Sequence, residues 1–192
     1  MKVLFVSLAV LIFDQVSKIY IKGFSFPIFR IQHRGMYQGQ RIPILGDFFN
    51  ITFIENSGIG FGIYFGTEFK LLVSLFTIIA VNALFYYLLR IKDKPLSLRL
   101  SVALIIGGAV GNLIDRLFYG VFYGYSSLFY GRVVDFFDIR IFNLFLFDKT
   151  IGNYVFNIAD VALTAGIVML LFAYRKKESV VGLENYILDN KD

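Results

Sequence analysis

The chain contains no cysteine and a single histidine, His33. A disulfide framework, a thiolate zinc site and a cysteine nucleophile are therefore excluded. One histidine builds neither a histidine metal site nor a Ser-His-Asp triad. Ser17, Ser57 and Ser126 have no base beside them in sequence, which argues against a serine nucleophile. Charge is also scarce: Asp, Glu, Lys and Arg make up 17% of the 192 residues, where a soluble domain carries about 25%. The chemistry left to this chain rests on carboxylates, hydroxyls, amides, lysine and arginine. Neither a metal nor a cofactor is expected.

Apolar residues are abundant instead. They form 57% of the chain, and the mean hydropathy is +0.69. The length suits one domain, and the composition places it in a bilayer. Four segments are long enough to span: about 2–21, 69–89, 98–117 and 154–174. In lipid the backbone must satisfy its own hydrogen bonds, so each is expected to be a helix. Together they would make one domain over residues 1–177, followed by a polar tail, 178–192, with the composition of a partly disordered end. The first segment has no A-x-A-like cleavage site after it, and Asp14 stands where one would begin, so it reads as retained.

Basic residues suggest the orientation. Lys2, then Arg90, Lys92, Lys94 and Arg99, then Arg175, Lys176 and Lys177 fall on one side of a four-span bundle. That side, with both termini, is expected to be cytoplasmic. The net charge of +5 is thus explained by membrane orientation, without a nucleic-acid partner. The outer loops would be roughly 23–67 and 118–153. The stretch Phe48–Ile54, followed by Gly58, Gly60, Gly62 and Gly66, reads as short strands and turns. Between Phe118 and Tyr130 lie Tyr119, Phe122, Tyr123, Tyr125 and Phe129 as well, as in a segment lying at headgroup level. His33, Asp47, Asp138 and Asp148 read as loop residues, the carboxylates solvated.

The polar residues inside the apolar segments carry the functional reading. A carboxylate at membrane depth costs about 2.5–3.5 kcal/mol on insertion scales and marks a functional site by default. Asp14 and Lys18 are four apart on one helical face. They read either as a local ion pair or as support for a site at that level. Asn112, Asp115 and Arg116 share a face, with Gly107, Gly108 and Gly111 below them as a close-packing surface. They read either as a paired helix end or as the lining of a polar site. Asn157 and Asp160, three apart, sit inside the start of the last span, and Asp135 precedes them in GRVVDFF. With four spans, Asp14, Asp115, Asp135 and Asp160 all come to the outer face. Asp135 and Asp160, if they meet, form a coupled acid/base pair able to activate water.

In order along the chain, DQVSK (Asp14–Lys18), ENSGIGFG (Glu55–Gly62), GGAVGNLIDR (Gly107–Arg116), VVDFF (Val133–Phe137) and FNIAD (Phe156–Asp160) resemble the blocks of the lipoprotein signal peptidases, the aspartyl membrane proteases of bacteria. The resemblance implies a membrane all-α bundle of four transmembrane helices with a small extracytoplasmic β-cradle. It implies that Asp135 and Asp160 are the catalytic dyad. It further implies that Asn56, Asn112, Arg116 and Asn157 hold the substrate backbone or the dyad, and that Asp14, Lys18 and Asp115 shape the site. The implied reaction removes signal peptides from diacylglyceryl-modified prolipoproteins at the bacterial inner membrane, cutting before the lipidated cysteine. Membrane lipid surrounds such an enzyme, and the cyclic peptide globomycin inhibits it. The chain departs from the pattern between Arg116 and Val133, where YGVFYGYSSLFYG replaces a short turn, and again over about 140–153. The first insertion is read as a lid or a membrane-surface anchor. Two other classes stand beside this one. A transporter would place its carboxylates at the midplane, and an assembly subunit would use them only to pair helices. A presenilin-type protease would need GxGD, which is missing.

Overall fold

The protein is described here by a computed structural model, which covers residues 2–57, 67–146 and 149–189. The helices are α1 (Leu4–Lys22), α2 (Thr67–Arg90), α3 (Leu96–Ile114), the short α4 (Gly120–Phe122) and α5 (Ile158–Asp189). A π turn over Asp115–Tyr119 joins α3 to α4. Among the described residues three helices are long and apolar enough to cross a membrane: Leu4–Lys22, Phe69–Arg90 and Leu96–Phe122. The apolar part of α5, Ile158–Ala173, is shorter.

These helices are built inside out. On α1 the buried residues are Ser7, Asp14 and Lys18, spaced seven and four apart on one stripe. Phe5, Phe13, Val16 and Tyr20 point outward and are mostly exposed. That pattern suits a helix whose solvent is hydrocarbon and whose partner face is polar. α3 is the central helix, with Ala103, Ile106, Gly107, Gly108 and Asn112 among its buried residues. Its glycines set the spacing. A Cβ on Gly107 would lie 3.0 Å from the Ser7 carbonyl oxygen, and one on Gly111 2.6 Å from Asp14 Oδ2. Gly108 is pressed just as closely against the Ala159 backbone. Small residues here let α1, α3 and α5 approach to within hydrogen-bonding reach.

Above the bundle lies a four-stranded antiparallel sheet in the order β3 (Arg41–Leu45), β4 (Phe49–Asn56), β5 (Val133–Leu146) and β6 (Lys149–Phe156). A hairpin of β1 (Phe24–Phe26) and β2 (Ile31–His33) stands beside it. β4 is the strand expected from Phe48–Ile54; the glycines expected to follow it as turns, Gly58 to Gly66, lie outside the described residues. In the β4–β5 register Ile54 faces Asp135 and Ile51 faces Phe137, so one extra residue on β4 bulges beside Asp135. Two apolar clusters brace the molecule. One joins Val3, Leu88, Ile91, Val102, Ala103 and Ile106 at the end carrying the chain start. The other, Phe53, Tyr119, Val134 and Phe136, seats the sheet on the helices.

Several expectations are corrected. The last span does not begin at Tyr154: residues 149–156 are strand β6, and helix α5 starts at Ile158. Tyr154, Val155 and Phe156 suit a strand as well as a membrane helix, and Asn157 caps the helix after them. The third helix does not stop at Leu117 but continues through the π turn to Phe122. Asp138 is not solvated. It is 1% exposed, accepts a hydrogen bond from Thr52 Oγ1 at 2.7 Å and pairs with Arg140 at 3.1 Å. His33 sits on β2, stacked on Tyr20 with ring centroids 4.5 Å apart. Asp47 is the surface residue expected, paired only with Arg41. Asp148 lies outside the described residues.

Candidate active site

Asp160 is positioned by the way α5 begins. The Asn157 side-chain oxygen accepts from the Asp160 backbone N–H at 2.9 Å. Asp160 Oδ2 in turn accepts from the Asn157 backbone N–H at 3.2 Å. This is a reciprocal capping box, with Asn at the cap and Asp three residues on. It places the Asp160 carboxylate at the N-terminus of α5, the positive end of the helix dipole. Asn112 Nδ2 of α3 donates to Asp160 Oδ1 at 2.7 Å.

Asp135 reaches the same place from β5. Its Oδ1 accepts from Asn157 Nδ2 at 2.6 Å, and its Oδ2 from Asn56 Nδ2 at 3.1 Å. Asn157 therefore touches both carboxylates, one through its side-chain amide and the other through its backbone. Asp135 is 4% exposed. Burial, and then the neighbouring Asp160 charge, push its carboxyl from the ordinary 3.8 up to about 7. No salt bridge to either carboxylate occurs among the described residues.

Beside it lies a second polar group with a different character. Lys18 Nζ pairs with Asp14 Oδ2 at 2.8 Å, with Asp115 Oδ2 at 2.8 Å, and donates to Asn112 Oδ1 at 2.9 Å. An ammonium has three protons to give, so all are used. Asp14, Lys18 and Asp115 are each fully buried. Both carboxylates also reach onward. Asp14 Oδ1 accepts from the Ala159 backbone N–H at 2.9 Å, and Asp115 Oδ2 from the Val134 backbone N–H at 3.1 Å. Ala159 adjoins Asp160, and Val134 adjoins Asp135.

Of the residues singled out in the sequence, Asp14, Lys18, Asn56, Asn112, Asp115, Asp135, Asn157 and Asp160 are brought together in one hydrogen-bonded network. Arg116 stands at its edge. It does not pair with Asp115, as a helix-end pair would require; Asp115 is taken by Lys18. Its Nη1 donates to the Asn112 carbonyl at 3.3 Å, and its buried Nε has no hydrogen-bond partner. Two members were missed. Gln15 Nε2 donates to Gly111 O at 3.0 Å and Asp115 Oδ1 at 2.9 Å, and Tyr119 hydroxyl donates to Gln15 Oε1 at 3.2 Å. The signal for Gln15 was present, an amide beside Asp14 in an otherwise apolar run. Tyr119 was hidden among the other aromatics of its segment. Among the described residues no group of histidines or carboxylates is arranged to hold a metal ion.

Comparison with known proteins shows the family. A lipoprotein signal peptidase of Moorella thermoacetica is 35% identical over 170 residues, spanning 88% of this chain and 90% of the relative. One from Porphyromonas gingivalis is 32% identical over 198 residues, covering 89% and 81%. A solved bacterial membrane enzyme, determined by the in meso method at 2.3 Å resolution, superposes with a TM-score of 0.67 at 31% identity over 93% of this chain and 90% of its own. With its apolar helices, this chain is likewise a membrane protein. The family model described as Signal peptidase (SPase) II matches residues 6–175, and the chain belongs to that family of peptidases.

Proposed function

We propose that the protein is an aspartic endopeptidase that removes signal peptides from diacylglyceryl-modified prolipoproteins, cutting before the lipidated cysteine. The observation that carries the reading is the pair Asp135 and Asp160, held through Asn157 with no salt bridge to either among the described residues. Like charges so placed resist joint ionisation, so one proton is shared. Asp135, raised to about 7, is the protonated member, and Asp160, at the α5 N-terminus, is the base.

Asp160 takes a proton from water as the water oxygen bonds to the scissile carbonyl carbon. Asp135 gives its proton to the carbonyl oxygen. In the tetrahedral intermediate Asp160 passes its proton to the amide nitrogen, and Asp135 recovers one from a hydroxyl as the C–N bond breaks. Both carboxylates end as they began. Asn56 and Asn112 hold the carboxylates, and Arg116, with its free Nε, lines the peptide path and supplies orientation. In this reading α5 is the fourth span, both termini are cytoplasmic, and the sheet end faces outward from the bacterial inner membrane, as the basic residues of the α2–α3 connection indicate. The acyl chains of the substrate then remain in the bilayer while the sheet end receives the bond.

The test is a gel-shift assay with purified protein, a diacylglyceryl-modified prolipoprotein and globomycin. Cleavage by the native chain, blocked by globomycin and absent in D135N and D160N, is the expected result. An inert native protein, beside an active peptidase cutting the same substrate, would refute the reading.

A further inference from the structure

The insertion between α4 and β5, with Lys70 of α2, borders an open cavity that none of the site carboxylates lines. Its volume is about 450 Å³, and it is lined by Lys70, Tyr125, Ser126, Ser127, Tyr130 and Arg132, within the ~300–1,000 Å³ usual for small-molecule sites. Every lining side chain is a cation or carries a hydroxyl, and no carboxylate is among them. Arg132 is fixed from behind. Its Nη1 donates to Glu55 Oε2 at 3.1 Å, and its guanidinium lies 5.2 Å from the Tyr125 ring centre. The Tyr125 hydroxyl accepts from the Arg132 backbone N–H at 2.8 Å. Glu55 also pairs with Lys22, so this one carboxylate is divided between two cations, and Lys70 adds a third. No salt bridge to Lys70 occurs among the described residues. Ser126 Oγ is a buried polar atom without a hydrogen-bond partner.

Two like charges facing one cavity, with hydroxyls beside them, call for an acceptor-rich anion. Phe122 is 75% exposed and Leu128 43% exposed in the same segment, so the insertion that lines the cavity also presents apolar surface. A bare ion has no use for that surface, whereas acyl chains do. We propose that this cavity binds the phosphodiester of an anionic phospholipid, with Lys70 and Arg132 supplying charge and Ser127 and Tyr130 supplying hydroxyl donors. It rests on the proposed function only for which leaflet supplies the lipid.

The test uses the full chain, stripped of lipid in detergent, titrated by calorimetry with dioctanoyl phosphatidylglycerol, dioctanoyl phosphatidylcholine or inorganic phosphate. Saturable phosphatidylglycerol binding is expected, at least tenfold tighter than phosphatidylcholine and than inorganic phosphate. K70Q should weaken it tenfold or more, and Y130F, which removes one oxygen and no charge, severalfold. Y130F alone decides the matter if K70Q does not fold. Native affinity in a folded K70Q, or in Y130F, would overturn the site. Phosphate bound as tightly as phosphatidylglycerol would overturn the lipid assignment, as would phosphatidylcholine bound equally well. None of these readouts depends on cleavage.

Discussion

Two pairs of aspartates lie side by side and behave in opposite ways. Asp14 and Asp115 share Lys18, are sealed from solvent, and have every proton of that ammonium between them. Asp135 and Asp160 share only neutral asparagines. A carboxylate tied to a buried cation serves as a structural anchor. A carboxylate facing another carboxylate has a proton to spare. Residue type alone does not separate the two; the cation does.

The comparison is broken most severely at Asp135 and Asp160. D135N and D160N should each lower cleavage by more than about 10³-fold, in line with the ~10²–10⁴ supplied by one acid or base, while a thermal melt stays within a few degrees of native. A collapse of both together would make the pair structural. At Asp14 and Asp115 the order reverses. Lys18→Met strands two buried carboxylates and should cost about 3–5 kcal/mol of stability, seen as a large drop in melting temperature or as loss of folded protein. If it melted like the native chain, the anchor reading would fail.

The next largest effect is on pH. In the proposed mechanism Asp135 acts in its protonated form, and its carboxyl sits at about 7, so turnover should fall about tenfold per pH unit above that value. Its raised value also adds stability that is full below about pH 4 and lost as pH rises through about 7. D135N should therefore flatten the decline in melting temperature over that window; an unchanged slope would move the titration to another group. The smallest effect belongs to Asp47, which is 97% exposed and paired with Arg41 alone. D47N should leave both melting and turnover where they were, since exposed pairs contribute little. A measurable loss would mean that surface charge, rather than the buried pairs, governs this fold.

Much of this was legible in the chain. Carboxylates and amides in apolar runs are costly, so Asp14, Asn112, Asp115, Asn157 and Asp160 announced themselves by their surroundings. Asp138 did not, because its burial depends on Thr52 of another strand, a contact that no local pattern encodes. The start of α5 was misplaced because Tyr154–Phe156 is apolar enough for a span and β-prone enough for a strand. The cap at Asn157 with Asp160 three residues on decides it, and that signature was readable. The three-way role of Lys18 was not, since two of its partners are more than ninety residues away.

The hydrogen bonds from Asp14 to the Ala159 amide and from Asp115 to the Val134 amide have a mechanical consequence. They make Lys18 the pivot of a caliper whose two jaws end at Asp160 and Asp135. The gap between the jaws is set by a side chain on α1. A guanidinium in place of that ammonium is a larger, flat fork whose N–H groups all lie in one plane, so even a charge-preserving exchange at the pivot would reopen the jaws to a different width.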